Sequence, residues 1–316
     1  MSSLSGEKIF ITGATGFIGS NLTRRSLDKG AEVFINIRNT SDTWRIRDIL
    51  NEVDVIPVDI TEYAKLKDFL KEIRPDIIFH TATYGGNAGQ KNTEKIIKTN
   101  FIGTVNLLRS SRDINPDLFV NTGSSSEYGI KDSAITESCL LEPVTEYGAS
   151  KAAATLYCQT IACTEKLPVV TLRLFSPYGR YEQKSRLVPS LILAALQKIN
   201  PRITSRQFVR DFIFIEDVLD AYEAVIDNKN ASGKIFNIGS GQQHSVGEVV
   251  DMIVRLLGNE VSFEIGIPQA WKNEPAFWQA DIQRAKSELE WEPKYSLEKG
   301  LSTTIDWFKV NKGLYA

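Results

Sequence analysis

Lys8-Ile9-Phe10-Ile11-Thr12-Gly13-Ala14-Thr15-Gly16-Phe17-Ile18-Gly19 decides how the chain is read. Lys8 to Thr12 is a short apolar run rich in β-branched residues, the signature of a buried strand. It passes without a spacer into three glycines, and a helical pattern follows through Asn21 to Lys29. Strand, glycine turn and helix in that order are the context of a dinucleotide-binding turn. Gly13 would permit the tight turn, Gly16 would let backbone approach a pyrophosphate, and Gly19 would let the helix pack closely on its strand. Thr15, Phe17 and Ile18 complete the expected contact set, and free N–H groups at the helix start favour phosphate.

Outward from this turn, strand and helix patterns alternate. Strands are expected at Glu32 to Ile37, Asp54 to Val58, Asp76 to Thr81 and Leu118 to Thr122, with helices at Tyr63 to Ile73 and Ile96 to Arg112. Repeated βα units imply an α/β protein with a Rossmann-type, doubly wound parallel sheet. The second strand should end at the adenosine ribose, where NAD-binding chains carry an acid for the 2′-hydroxyl. Here Ile37 is followed by Arg38-Asn39-Thr40-Ser41, with Arg45 nearby. Arg38, Asn39 and Ser41 suit a phosphate monoester, so NADP is favoured, with NAD as the alternative. Asp59 and Ile60 follow the third strand as adenine contacts, and Thr81, Ala82 and Thr83 follow the fourth on the cofactor side. Tyr84 and Gly85 open a glycine-rich loop to Gln90 at a strand's carboxyl end, where such sheets bind ligands, and should border the substrate.

Tyr147 and Lys151 stand four residues apart in a helical stretch, on one face. A neighbouring ammonium favours the phenolate, so the pair is expected to act as a tuned acid/base. Ser124-Ser125-Ser126 lies upstream at the end of a strand and supplies a hydroxyl as the third member of the set.

At 316 residues and a formal charge of -2, the chain gives no electrostatic case for nucleic acid or an anionic membrane. Three cysteines without metal-ligand spacing fit a reducing compartment, and no apolar run reaches membrane-span length. A cytoplasmic protein without a metal site is expected. His80 and His244 belong to no constellation, and Trp271, Trp278, Trp291 and Trp307 read as packing residues.

Taken together, GATGFIG, TNFIGT around Asn100, TGSSSEYG, YGASK, LRLFSPYGR from Leu172 to Arg180 and RDFIFIEDV from Arg210 to Val218 resemble the extended short-chain dehydrogenase/reductase family. The resemblance is to the branch acting on nucleotide-diphospho-sugars and covers nearly the whole chain. It implies a cofactor domain of residues 1–176, with 207–238 returning to it. A smaller α/β nucleotide-sugar domain would come from 177–206 and 239–316, with a helix around Leu297 to Phe308. By the same resemblance, Ser124, Tyr147 and Lys151 are the catalytic residues, with Lys151 also holding the nicotinamide ribose. Asn100 supports the lysine, and Thr122 and Phe175 complete the cofactor site. Ser125, Ser126, Ser176, Arg186, Leu187 and Val188 are implied at the substrate, with Arg210 on its diphosphate and Lys272 replacing a second arginine.

Two positions depart from the family pattern. Its 4,6-dehydratases carry Asp-Glu directly after the catalytic hydroxyl. This chain has Ser125-Ser126 there, with Glu127 one place late, which speaks against dehydration. The family asparagine before tyrosine-glycine in the LRLFSPYGR region is Ser176. The resemblance therefore implies NADPH-dependent reduction of a 4-keto(-6-deoxy) nucleotide-diphospho-sugar by a homodimer. A 4-epimerase with tightly bound NAD is the rival enzyme, and a non-catalytic dinucleotide sensor or scaffold the rival of another class. Nucleobase, sugar and product stereochemistry depend on pocket shape, which motifs do not encode.

Overall fold

A computed structural model describes residues 4–87, 89–200, 202–203, 205–258, 264–265 and 275–315. Its strands are β1 (Lys8–Thr12), β2 (Glu32–Asn36), β3 (Asp54–Ile56), β4 (Ile77–His80), β5 (Leu118–Ser124) and β6 (Val169–Leu174). There follow β7 (Ser176–Tyr178), β8 (Arg202–Ile203), β9 (Val209–Phe214), β10 (Ile235–Ile238), β11 (Gln243–Ser245) and β12 (Glu264–Ile265). A seven-stranded sheet runs in the order β10-β6-β5-β4-β1-β2-β3, with every pair parallel. Chain order reverses between β1 and β4, and ligands of such sheets bind at that crevice.

Parallel strands covered on both faces read as continuous apolar runs, because both sides of the pleat are dry. Ile9 and Ile11 enter one core with Val33, Ile35, Phe79 and Val120, while Phe10 enters the other with Phe34, Ile78 and Phe119. Helices α1 (Phe17–Asp28), α2 (Tyr63–Ile73), α3 (Thr93–Ile97), α4 (Gly103–Ser111) and α5 (Glu146–Glu165) connect these strands. The second face is covered by α2, α4 and α5, through Leu66, Leu70, Leu107, Leu108 and Ile161.

Beyond β6 come α6 (Leu187–Leu196), α7 (Ile215–Ile226), α8 (Val246–Leu257), α9 (Gln283–Leu289) and α10 (Leu297–Asn311). Of residues 207–238, β10 completes the large sheet at its edge, and α7 packs beside α1. Strand β9 instead lies in a small sheet of order β11-β9-β7, and β8 pairs with β12.

Two expected helices differ from the sequence reading. Helix α1 begins directly at Phe17, with Gly16 as its N-cap, so the glycine turn runs into the helix without an intervening loop. The helix expected over Ile96 to Arg112 starts at Thr93 and is interrupted by a π turn, Lys98–Ile102, between α3 and α4. The wider turn turns Asn100 inward, where its side chain holds the backbone of Tyr84 on both sides, at 2.8 Å and 2.7 Å. Such π turns concentrate at functional sites.

The glycine turn is as crowded as the motif demands. Gly13 has φ +73°, and a Cβ on Gly19 would stand 2.2 Å from the Gly13 carbonyl oxygen. Gly19→Ala is therefore expected to cost about 1–3 kcal/mol by overpacking and to lower the unfolding midpoint. Denaturant unfolding measures it, and wild-type stability in the variant would contradict this packing.

Candidate active site

Helix α5 presents Tyr147 in its first turn and Lys151 one turn on, capped by Thr145, whose hydroxyl accepts the Gly148 N–H at 3.0 Å. The Tyr147 hydroxyl meets the side chains of Ser124, from the end of β5, and Thr83, from the loop after β4. The ring lies against the glycine loop, so a Cβ on Gly85 would be 3.5 Å from its edge. Ser124, Tyr147 and Thr83 thus converge beyond the carboxyl ends of β4 and β5.

Electrostatics here differ from the sequence expectation. Burial raises the Tyr147 phenol above its ordinary value, and its hydrogen bonds and the charge of Arg186 only oppose that shift. Lys151, 3% exposed, is pushed the other way by burial, with Glu127 as the leading opposing charge. Desolvation outweighs these opposing interactions, so the phenol is favoured over the phenolate.

The serine rests on a buried ion pair. Ser124 caps the 3₁₀ turn Ser125–Glu127, and the Glu127 carboxylate returns to accept the Ser124 N–H at 2.8 Å. The same oxygen accepts the Thr155 hydroxyl of α5 at 3.1 Å, and the other takes Arg173 Nε at 2.7 Å. Arg173 also donates to Tyr128, which donates to Asn237. Glu127 and Arg173 are 0% and 1% exposed. Room for them exists because residue 123 is glycine: a Cβ there would lie 2.8 Å from Glu127 Oε1. Similarly, a Cβ on Gly148 would lie 2.4 Å from Ser126 O, so α5 approaches the serine turn as closely as backbone allows. Sequence reading saw Glu127 only as a displaced acid. Its place three residues after Ser124, the spacing of a capping box, was the available signal.

The cofactor side fits a dinucleotide. Gly13, Gly16 and Gly19 leave a cradle that Cβ atoms would fill, and no side chain caps α1. At the end of β2, Asn36 donates to Val58 O at 3.1 Å while its buried Oδ1 has no partner, a contact the motif reading missed. Arg38 stands 3.8 Å from Asp59, which also holds Thr61, and a turn bonds Arg38 N to Ser41 Oγ at 3.1 Å. Arg45 does not face this site. It is buried, stacked over Trp44, and spends its guanidinium on Tyr181 O, Thr15 O and Gln183, because lobe contacts capture it. Thr81 donates to Thr12 O at 2.7 Å and Thr83 to Asn100 at 3.1 Å. Ile60 and Phe175 are core residues, and the Thr122 hydroxyl is spent on Tyr222.

The sequence model of the NAD dependent epimerase/dehydratase family matches residues 9–239. The chain belongs to that family. It is an enzyme of the extended short-chain dehydrogenase/reductase type, as its motifs implied. The dTDP-glucose 4,6-dehydratase of Haemophilus influenzae is 27% identical over 96% of this chain and 98% of its own length. Among solved structures, UDP-glucuronic acid 4-epimerase from Bacillus cereus, in complex with UDP-glucuronic acid and NAD, aligns with TM-score 0.84. It is 28% identical and covers 96% of this chain and 99% of its own. A dTDP-glucose 4,6-dehydratase from Bacillus anthracis, in complex with NAD, aligns with TM-score 0.87 at 26% identity, covering 98% of each chain.

In this family member the residues expected at the substrate fall into two groups. Gly85 and Ser124 border Tyr147, Tyr84 is held by Asn100, Ser126 O lies against Gly148, and Arg186, the N-cap of α6, is near enough for its charge to act on the phenol. Ser125 is buried, Leu187 half-buried, and Val188 lies in the core, so backbone is what Val188 can offer. Ser176 sits on β7, and Arg210 on β9 lies over Trp278 at 5.6 Å. Lys272 and Trp271 lie outside the described residues.

Next to Arg186 is a carboxyl that motif reading did not single out. Glu182 is 6% exposed, its Oε2 has no partner, and burial pushes it up to about 8 against the opposing charges of Arg186 and Arg45. A carboxyl raised on folding keeps its proton in the native state after the unfolded chain has released its own. Stability must then fall with rising pH between 4.5 and about 8. Glu182→Gln is expected to leave stability unchanged near the lower limit and to gain a few kcal/mol near the upper one. Urea unfolding across that window tests it, and a gain independent of pH would refute the raised value.

Proposed function

We propose that this enzyme reduces a 4-keto(-6-deoxy) nucleotide-diphospho-sugar with NADPH in the cytoplasm. The arrangement that carries the reading is the Tyr147 phenol beside Ser124 and against the glycine loop, held above its ordinary value by desolvation. A phenol raised by burial is a proton donor before it is a base, which suits delivery of a proton to a carbonyl oxygen. Ser124 would donate a second hydrogen bond to that oxygen, and Lys151 would hold the cofactor ribose and return charge as the phenol empties. A bound reduced nicotinamide supplies the hydride. Among the three residues after Ser124, the only carboxylate is buried in the Arg173 ion pair, which argues against dehydration. We assign 1–176 and the returning stretch to the cofactor, and 177–206 with 239–316 to the nucleotide-sugar.

The second reading is a 4-epimerase with retained NAD, favoured by the NAD in the solved relatives. Cofactor analysis of the purified protein separates the two, followed by NADPH oxidation with 4-keto sugars on dTDP, CDP, GDP and UDP. Stoichiometric NAD with no NADPH consumption would establish the epimerase. Tyr147→Phe is expected to reduce turnover by orders of magnitude with cofactor affinity nearly intact; near-normal turnover would remove its role.

NADPH preference rests on Ile37 and Arg38. The Arg38 side chain is 40% exposed and its contact with Asp59 is loose at 3.8 Å, so it can turn to a 2′-phosphate. A charge-assisted hydrogen bond of about 1.5–3 kcal/mol implies about tenfold to a hundredfold discrimination. Arg38→Ala should erase most of it while sparing NADH binding, as titration of cofactor fluorescence would show. Equal loss for both cofactors would count against the phosphate contact.

We also place the enzyme as a homodimer through α3, the π turn and α5. Ile97, Ile102 and Leu156 are 47%, 40% and 53% exposed, beside a groove of about 260 Å³ lined by Ile97, Phe101, Ala149 and Ala153. Such a face is self-complementary across a two-fold axis. Light scattering at micromolar concentration should give a dimer mass, and a monomer would refute it.

A further inference from the structure

His80, at the end of β4, lies at the reversal of strand order and is 1% exposed. Its Nδ1 is 2.7 Å from the Thr12 hydroxyl at the end of β1, and its Nε2 is 2.8 Å from the Thr104 hydroxyl in α4. Sequence reading assigned this histidine to no constellation, because its partners are 68 and 24 residues away.

Counting protons fixes the direction of each bond. The Thr104 hydroxyl lies 2.7 Å from the Asn100 carbonyl oxygen, which can only accept, so Thr104 donates there. Having one proton, Thr104 must accept from His80, and Nε2 therefore carries hydrogen. The ring is also neutral, since burial and the charge of Lys151 push it down to about 3. Nδ1 is then a lone pair that accepts from Thr12. Thr12, its proton spent, accepts the Ala82 N–H at 3.3 Å. The result is one directed chain, from Ala82 through Thr12, His80 and Thr104 to the Asn100 carbonyl.

Both ends of the chain lie in the site. Ala82 is packed on the glycine turn so closely that a Cβ on Gly13 would be 2.6 Å from its nitrogen. Asn100 occupies the π turn, and its side chain bonds Tyr84 and, at 2.9 Å, Ser150 of α5. We infer that His80, locked as the neutral Nε2–H tautomer, is a positioning residue that couples the dinucleotide turn to the π turn carrying Asn100. The inference rests on the dinucleotide reading only for its second test.

The first test is nitrogen NMR of the whole protein, which has two histidines. One is expected to show a protonated Nε2 and a bare Nδ1, unchanged from about pH 5 to about pH 9, across the usual histidine range. His80→Phe, which keeps the ring packing on Phe119, identifies it. An Nδ1–H tautomer, or titration within that range, overturns the inference.

The second test measures NADPH and NADH binding by fluorescence in Thr104→Val, which removes a hydroxyl whose bonds among the described residues all belong to this relay. Affinity is expected to fall about tenfold, and the same substitution in the His80→Phe background should have no further effect. Full additivity, or no loss in Thr104→Val alone, overturns the coupling. A wild-type protein that binds neither nucleotide would overturn the dinucleotide reading instead, and the tautomer measurement then decides the inference by itself.

Discussion

A buried carboxylate holds the reacting edge of this enzyme together. Glu127 takes one bond from the N–H of Ser124, one from the helix that carries Tyr147 and Lys151, and one from Arg173 on β6. Three elements far apart in sequence meet on two oxygen atoms. Taking both charges out of water costs several kcal/mol per ion, so the pair adds little net stability even when fully hydrogen-bonded. What it supplies is geometry, because losing either partner would strand a charge in the core at about 3–5 kcal/mol. Gly123 and Gly148 are the local counterpart: each leaves space that a methyl group would take from this arrangement.

The same dryness sets the protonation states. Tyr147 is raised, Lys151 lowered and His80 kept neutral, each with burial as the largest cause. A tyrosine and a lysine one turn apart suggest mutual attraction on paper. In the folded chain desolvation is the largest cause at both, and the charges that act on them are those of Arg186 and Glu127. Oriented hydroxyls from Ser124 and Thr83 then bias where the phenol proton goes.

Position in the sheet explains why these groups meet. The order β10-β6-β5-β4-β1-β2-β3 opens its crevice between β1 and β4, and β4 and β5 end beside it. The glycine turn, the Thr81–Thr83 loop and the serine turn all leave the sheet at that edge. The segment after β7 is held at the same edge by Arg45, which ties Tyr181 and Gln183 to the carbonyl of Thr15. The glycine turn and the segment after β7 are thereby fastened to each other.

Sequence by itself determined the parallel α/β sheet and the glycine turn, and it picked out Ser124, Tyr147 and Lys151 as one candidate set. Those features are local: continuous apolar strand runs, a φ that glycine adopts readily at Gly13, and Tyr147 and Lys151 one helical turn apart. Family membership was legible for the same reason, since its motifs are short and contiguous. Tertiary structure decided what depends on distant partners. It made Glu127 a buried support instead of a displaced acid, and it drew Arg45 away from the cofactor loop. It also opened a π turn at Asn100 and tied His80 to residues on both sides of the switch point. Each of these outcomes depends on desolvation or on the fit of groups brought together by folding, and neither quantity exists until the chain has closed around them.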